Sequence, residues 1–142
     1  MFSNKNNEAG FFGFEFPRYN YALNGLKYRY LYGCGFGQVL PDKLCKIDTE
    51  HKTMKVWREP NIFPSEPVFV QNPDSRDISG ADEDNGVILS ICVSTEPNVP
   101  IFLLILDAET FEEIGRATSD VLGIPYGFHH IFLPEGFSSL VK

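Results

Sequence analysis

A chain of 142 residues is the size of one domain with a modest core, and 43% hydrophobic with 22% charged residues is an ordinary globular balance. The formal net charge of −7 gives nucleic acid and anionic membrane surfaces no electrostatic attraction, so no nucleic-acid partner is expected. No stretch approaches the roughly 20 apolar residues of a spanning helix. Three cysteines, Cys34, Cys45 and Cys92, without close spacing argue for reduced thiols and an intracellular chain.

Aromatic residues reach 14%, and Gly and Pro are frequent, which favours short strands and turns over helices. Residues 1–10 read as a flexible polar leader and residues 135–142 as a tail, bracketing one unit over 11–134. Phe11 to Pro17 is the first extended element. Alternation groups Phe12, Phe14 and Phe16 on one face, turns Glu15 to the other, and Pro17 ends the strand. Lys27 to Gly33 is a period-2 strand with Tyr28, Tyr30 and Tyr32 together. Gly33, Gly35 and Gly37 then interrupt the pattern, and without a following helix or lysine they make no phosphate loop. Leu44 to Asp48 and Thr53 to Arg58 form a hairpin closed by residues 49–52, with a solvated His51 at its tip.

Pro64-Ser65-Glu66-Pro67-Val68-Phe69-Val70, read as a strand, puts Glu66 on the same face as Val68 and Val70. A carboxylate in that company costs several kcal/mol unless something pairs with it. Residues 71–85 form a long acidic loop whose spacing matches no EF-hand. Gly86 to Val93 and Ile101 to Leu106 are apolar runs of the kind buried on both faces of a sheet. Phe111 to Ala117 is more amphipathic, and Pro125 to Phe132 is the last strand. The pattern is all-β with up-and-down connections. Eight to ten strands suffice for about two blades of a propeller, with a small closed sandwich or barrel as the competing architecture.

His129 and His130 are neighbours in that last strand, so alternation sends their rings to opposite faces. If His129 bound a metal through one nitrogen, its other N–H would need an acceptor, and Glu66 and Glu15 are both inward carboxylates of the usual kind. A core histidine bonded to a backbone carbonyl satisfies the same spacing.

Phe14-Glu15-Phe16-Pro17, Lys46-Ile47-Asp48, Val56-Trp57-Arg58-Glu59 and Pro64-Ser65-Glu66-Pro67-Val68-Phe69-Val70 follow one another in order. Gly86-Val87-Ile88-Leu89-Ser90, Leu106-Asp107-Ala108 and Pro125-Tyr126-Gly127-Phe128-His129 complete the series. Together they resemble the C-terminal part of the carotenoid cleavage oxygenases. Tyr32-Gly33-Cys34-Gly35-Phe36 and Pro125-Tyr126-Gly127-Phe128-His129 are most similar to the branch that cleaves eccentrically at the 9′,10′ bond. The central-cleaving 15,15′ branch and the retinoid isomerase branch are the neighbouring alternatives.

The resemblance implies a seven-bladed β-propeller around one non-haem Fe(II) held by four histidines, three of them oriented by glutamates. It implies His129 as an iron ligand and Glu66 and Glu15 as two of the orienting carboxylates. The substrates it implies are a carotenoid and O2, with membrane-surface contact for uptake and a mitochondrial or cytoplasmic location. Two departures stand out. The three other iron histidines and the third glutamate belong to family segments preceding Phe11, so these 142 residues alone are expected to be inactive. His130 stands where the family has glycine, which is expected to crowd the backbone that aims His129. A non-catalytic β module is the alternative these departures leave open.

Overall fold

The structure, a computed structural model, describes residues 13–37, 39–75 and 82–133. The leader, Phe11 and Phe12, Asp77 of the acidic loop and the 135–142 tail lie outside the described residues. Nine strands and the 3-10 turn at Tyr21–Leu23 make up most of the regular structure among those described. The first sheet takes β1 (Gly13–Arg18), β2 (Tyr30–Phe36), β3 (Pro41–Asp48) and β4 (Thr53–Trp57) in sequential antiparallel order. The second is built on β7 (Gly86–Ser94), which pairs with β8 (Phe102–Asp107), and β8 with β9 (Glu113–Thr118). The other edge of β7 is shared by two short strands, β5 (Ile62–Pro64) and β6 (Val68–Gln71). Two up-and-down antiparallel sheets in series are two blades of a β-propeller, as the strand count predicts.

β1 runs on to Arg18, past the stop expected at Pro17. An edge strand tolerates proline because the missing N–H falls on the unpaired side. A bulge between Glu15 and Arg18 adds one residue against β2, and Phe16 there adopts φ 55°, unusual for a bulky side chain. The alternation survives: Phe14, Phe16 and Arg18 are half-buried while Glu15 and Pro17 are exposed. β1 lies close enough against β2 that a glycine is needed. A Cβ on Gly33 would sit 2.5 Å from the Phe14 ring and 2.8 Å from the Glu15 carbonyl oxygen. This is the physical reason for the glycine-rich stretch.

One core joins the sheets. Tyr32, Cys34 and Leu44 from the first pack with Ile62, Ile88, Cys92, Phe102, Leu104 and Leu106 from the second. The runs expected to be buried on both faces are fully buried on one only. Ile88, Ser90 and Cys92 are buried in β7, while Leu89 and Ile91 are half-buried, because the first sheet covers a single face. All three thiols are buried and free. Burial pushes those of Cys45 and Cys92 up to about 12.

Three buried charged residues brace the far end of the sheets. Lys46 pairs with Asp84 and donates to the Ala108 and Glu109 carbonyls at 2.6 and 3.0 Å. Glu83 accepts the backbone N–H groups of Arg29 and Tyr30, each at 2.7 Å. The acidic stretch before β7 therefore ties the long loop to the first sheet.

Candidate metal centre

The second sheet is interrupted where Glu66 sits. Pro64 and Pro67 have no N–H to give to a ladder, so pairing with β7 stops at Cys92 and restarts at Leu89. Ser65 bridges the gap with its backbone and hydroxyl. Its N–H donates to the Ile91 carbonyl at 2.9 Å, and its Oγ accepts the Ile91 N–H at 3.1 Å. Glu66 is consequently outside the strand, and the expected shared face with Val68 and Val70 is corrected. Its carboxylate leaves the ladder and turns toward the residues that follow β9.

Those residues also depart from expectation. Pro125 to Phe132 form no strand, so period-2 alternation does not govern His129 and His130. The chain there is held by side chains instead. Tyr126 Oη donates to the Pro64 carbonyl at 2.7 Å. The His130 N–H donates to Glu66 Oε2 at 2.9 Å, and His129 Nδ1 lies 3.3 Å from Glu66 Oε1. The His130 ring folds back over Gly127, whose Cβ would meet it at 2.6 Å, and its buried Nδ1 has no partner. A side chain at Gly127 would therefore have to displace the His130 ring.

Arg18 completes the cluster and is the residue the sequence reading missed. One guanidinium nitrogen donates to Glu66 Oε2 at 2.8 Å and to the His130 carbonyl at 2.9 Å. The other donates to Tyr21 Oη at 2.8 Å. Alternation would have found Arg18 had the strand been extended one residue beyond Pro17. Phe16, on the same face, presses its ring edge-on against the His129 imidazole with centroids 5.4 Å apart.

Burial pushes the Glu66 carboxyl up, but the hydrogen bonds from Arg18, the His130 amide and His129 outweigh it and hold it below the ordinary carboxylate value. An ionised carboxylate only accepts, so in the neutral imidazole of His129 the proton sits on Nδ1 and the lone pair on Nε2. The His129 side chain is 74% exposed, so that lone pair is accessible. This is the donor chemistry of one imidazole ligand backed by a carboxylate. Among the described residues no group of three or more His, Cys, Asp or Glu is gathered to hold a metal ion. The residues present therefore offer a metal one imidazole ligand. Glu15 is exposed and makes no hydrogen bond to Glu66 or His129. His51 is held at the hairpin tip by Asp48 at 2.9 Å.

The family model described as retinal pigment epithelial membrane protein matches residues 3–134. The chain belongs to that family, the carotenoid oxygenases. It is 50% identical over 123 residues to a mitochondrial carotenoid-cleaving dioxygenase of Macaca fascicularis, covering 86% of this chain and 21% of the relative. The human protein of the same name is 48% identical over 123 residues, covering 86% and 20%. A β,β-carotene 15,15′-dioxygenase of Gallus gallus is 44% identical over 124 residues, covering 87% and 22%. The chain thus spans about a fifth of the length of the curated relatives it matches.

Among solved structures, a chimera of apocarotenoid oxygenase and the pigment epithelial protein superposes with a TM-score of 0.70 at 28% identity, covering 82% of this chain and 24% of that one. Cobalt-substituted Synechocystis apocarotenoid oxygenase gives 0.69 at 28% identity, with the same coverage. The family is metal-dependent. Among the described residues no helix is long and apolar enough to cross a membrane.

Proposed function

We propose that these residues are the C-terminal portion of a non-haem Fe(II) dioxygenase that adds O2 across a double bond of a carotenoid and releases apocarotenals. The observation that carries the reading is the His129–Glu66 contact, which leaves an accessible imidazole lone pair in a chain of this family. Higher identity to relatives named carotenoid-cleaving than to the one named for 15,15′ cleavage supports eccentric 9′,10′ cleavage and a mitochondrial location. Central cleavage and retinoid isomerisation are the alternatives within the family.

His129, together with histidines from outside these residues, would hold the iron, which when bound would supply the activation of O2. The chain's own residues do the rest. Glu66 fixes the His129 tautomer and keeps Nε2 facing outward. Phe128, Ile131, Phe132 and Leu133 expose their side chains on the same segment and form an apolar wall for a polyene. Glu15, exposed here, orients one of the other histidines. Contact with a membrane surface delivers the lipid-soluble substrate to the longer protein.

The test is a graft. This chain replaces the corresponding segment of the human relative, and iron per protein and loss of carotenoid absorbance are measured with and without His129→Ala. Loss of iron and cleavage in the variant, with the fold kept by circular dichroism, is the expected result. Iron retained by His129→Ala overturns the assignment. A folded graft that never takes up iron favours the second reading, a non-catalytic β module.

A further inference from the structure

We propose that Arg18 is the positioning residue of the His129 imidazole, acting through Glu66 and the backbone of His130. The proposal rests on the functional reading above only for what the imidazole is positioned to do. Three separate pieces of chain meet at this guanidinium. They are the end of β1 with the turn at Tyr21, the Ser65-Glu66-Pro67 break in the second sheet, and the segment after β9.

The geometry closes a ring. A single Arg18 nitrogen reaches Glu66 Oε2 at 2.8 Å and the His130 carbonyl at 2.9 Å. The His130 N–H returns to the same Oε2 at 2.9 Å. With Oε2 taken by two donors, the carboxylate cannot rotate without breaking both, and Oε1 is left facing His129 Nδ1. Both ends of the His130 peptide environment are pinned, so the residue before it is fixed in direction.

The segment needs this because no ladder holds it. Its strand-like bonds end where Ile101 donates to Val121 at 3.3 Å. Beyond that point the described anchors are Tyr126, the Phe16 ring contacts, and the Arg18–Glu66 cluster. The Arg18–Glu66 pair is also sheltered, with side-chain exposures of 21% and 5%, so water competes with it poorly. A lysine could supply the charge but not the fork that spans Glu66, His130 and Tyr21.

The experiment reads the His129 tautomer in the metal-free 142-residue chain by histidine-selective nitrogen NMR, above about pH 8 where imidazole is neutral. Only three histidines contribute, and single substitutions of His51 and His130 assign them. In the wild type the Nδ1–H form of His129 dominates. Arg18→Met lowers the ratio of Nδ1–H to Nε2–H about fivefold, the effect of losing one oriented hydrogen bond, and Arg18→Lys restores part of it. Global stability is followed in parallel, because a residue that only packs would lower the melting temperature and leave the ratio alone.

An unchanged ratio in Arg18→Met overturns the proposal. If that variant does not fold, Arg18→Gln keeps a donor without the charge or the fork, and an unchanged ratio in it is equally decisive. The two readings fail separately. Iron retained by the His129→Ala graft sinks the functional assignment and leaves the tautomer shift standing. An unmoved tautomer sinks the role of Arg18 and leaves iron binding untouched.

Discussion

Glu66→Gln is the substitution that most directly separates orientation of a ligand from filling of a gap. The glutamine has nearly the same shape, so packing at this 5%-exposed side chain is preserved. Its hydrogen-bonding roles are not. The carboxylate accepts on both oxygens, from Arg18 and the His130 N–H on one and from His129 on the other. The amide has one accepting oxygen, and Arg18 with the His130 N–H will claim it. Its NH2 group then faces His129 Nδ1, which can only accept by giving up its proton.

The imidazole is therefore driven to the opposite tautomer, with the proton on Nε2 where a metal would bind. Replacing charge-assisted by neutral hydrogen bonds costs about 1–2 kcal/mol of stability. For a chain of this size that is a fall in melting temperature of roughly 3–8 °C. In the grafted enzyme, iron retention should weaken about 10- to 100-fold, as it does when the outer partner of a ligating histidine is lost. Thermal unfolding by circular dichroism and iron per protein measure the two effects. A melting temperature and iron content both equal to wild type would show that Glu66 only occupies the break in the strand.

His130→Gly removes a ring whose Nδ1 is buried without a partner but keeps the backbone groups that bind Glu66 and Arg18. Stability should change by no more than about 1 kcal/mol, relief of the unpaired nitrogen offsetting added chain entropy, and a fall in denaturant midpoint worth more than that would refute it. Asp48→Asn tests the hairpin end of the first sheet. Arg29, and after it the His51 amide, hold the Asp48 carboxyl far below its ordinary value against the smaller opposing effect of burial. A depressed folded-state value means stability present in full at neutral pH and lost progressively as pH falls below about 4, so the variant should be less stable than wild type at pH 7 by an amount that shrinks steadily between about pH 4 and pH 2. A gap between the two that persists unchanged in acid would refute the assignment.

Much of the fold was written in short-range patterns. Period-2 alternation identified β1 and β2, unbroken apolar runs identified β7 and β8, and punctuation by Pro and Gly placed most turns. Burial of the second sheet was overestimated, because an apolar run such as Gly86 to Val93 reads the same whether one or both faces are covered. The sequence cannot say how much of its apolar surface the remaining chain will cover. The glycines of β2 were noticed and left unexplained for a similar reason. Their need arises from neighbouring strands, the Phe14 ring against Gly33 and the Lys43 and Cys45 side chains against Gly35, which no local window contains.

The candidate site was legible in its members and illegible in its construction. Glu66 stood out as a carboxylate among apolar residues, and His129 as an imidazole in want of an acceptor; the structure brings these two together. What alternation could not supply is the reason they meet. Both lie where alternation has ended, Glu66 because two prolines interrupt a ladder and His129 because the chain after β9 has no ladder to join. Side chains released from a pleat can aim where a strand would not let them, but they then need fixing from outside. That explains why the missed residue was an arginine, whose forked donors hold a carboxylate and a carbonyl from separate segments at once. A buried carboxylate between two prolines should accordingly prompt a search for a cation at the half-buried end of a neighbouring edge strand, which is where Arg18 lies.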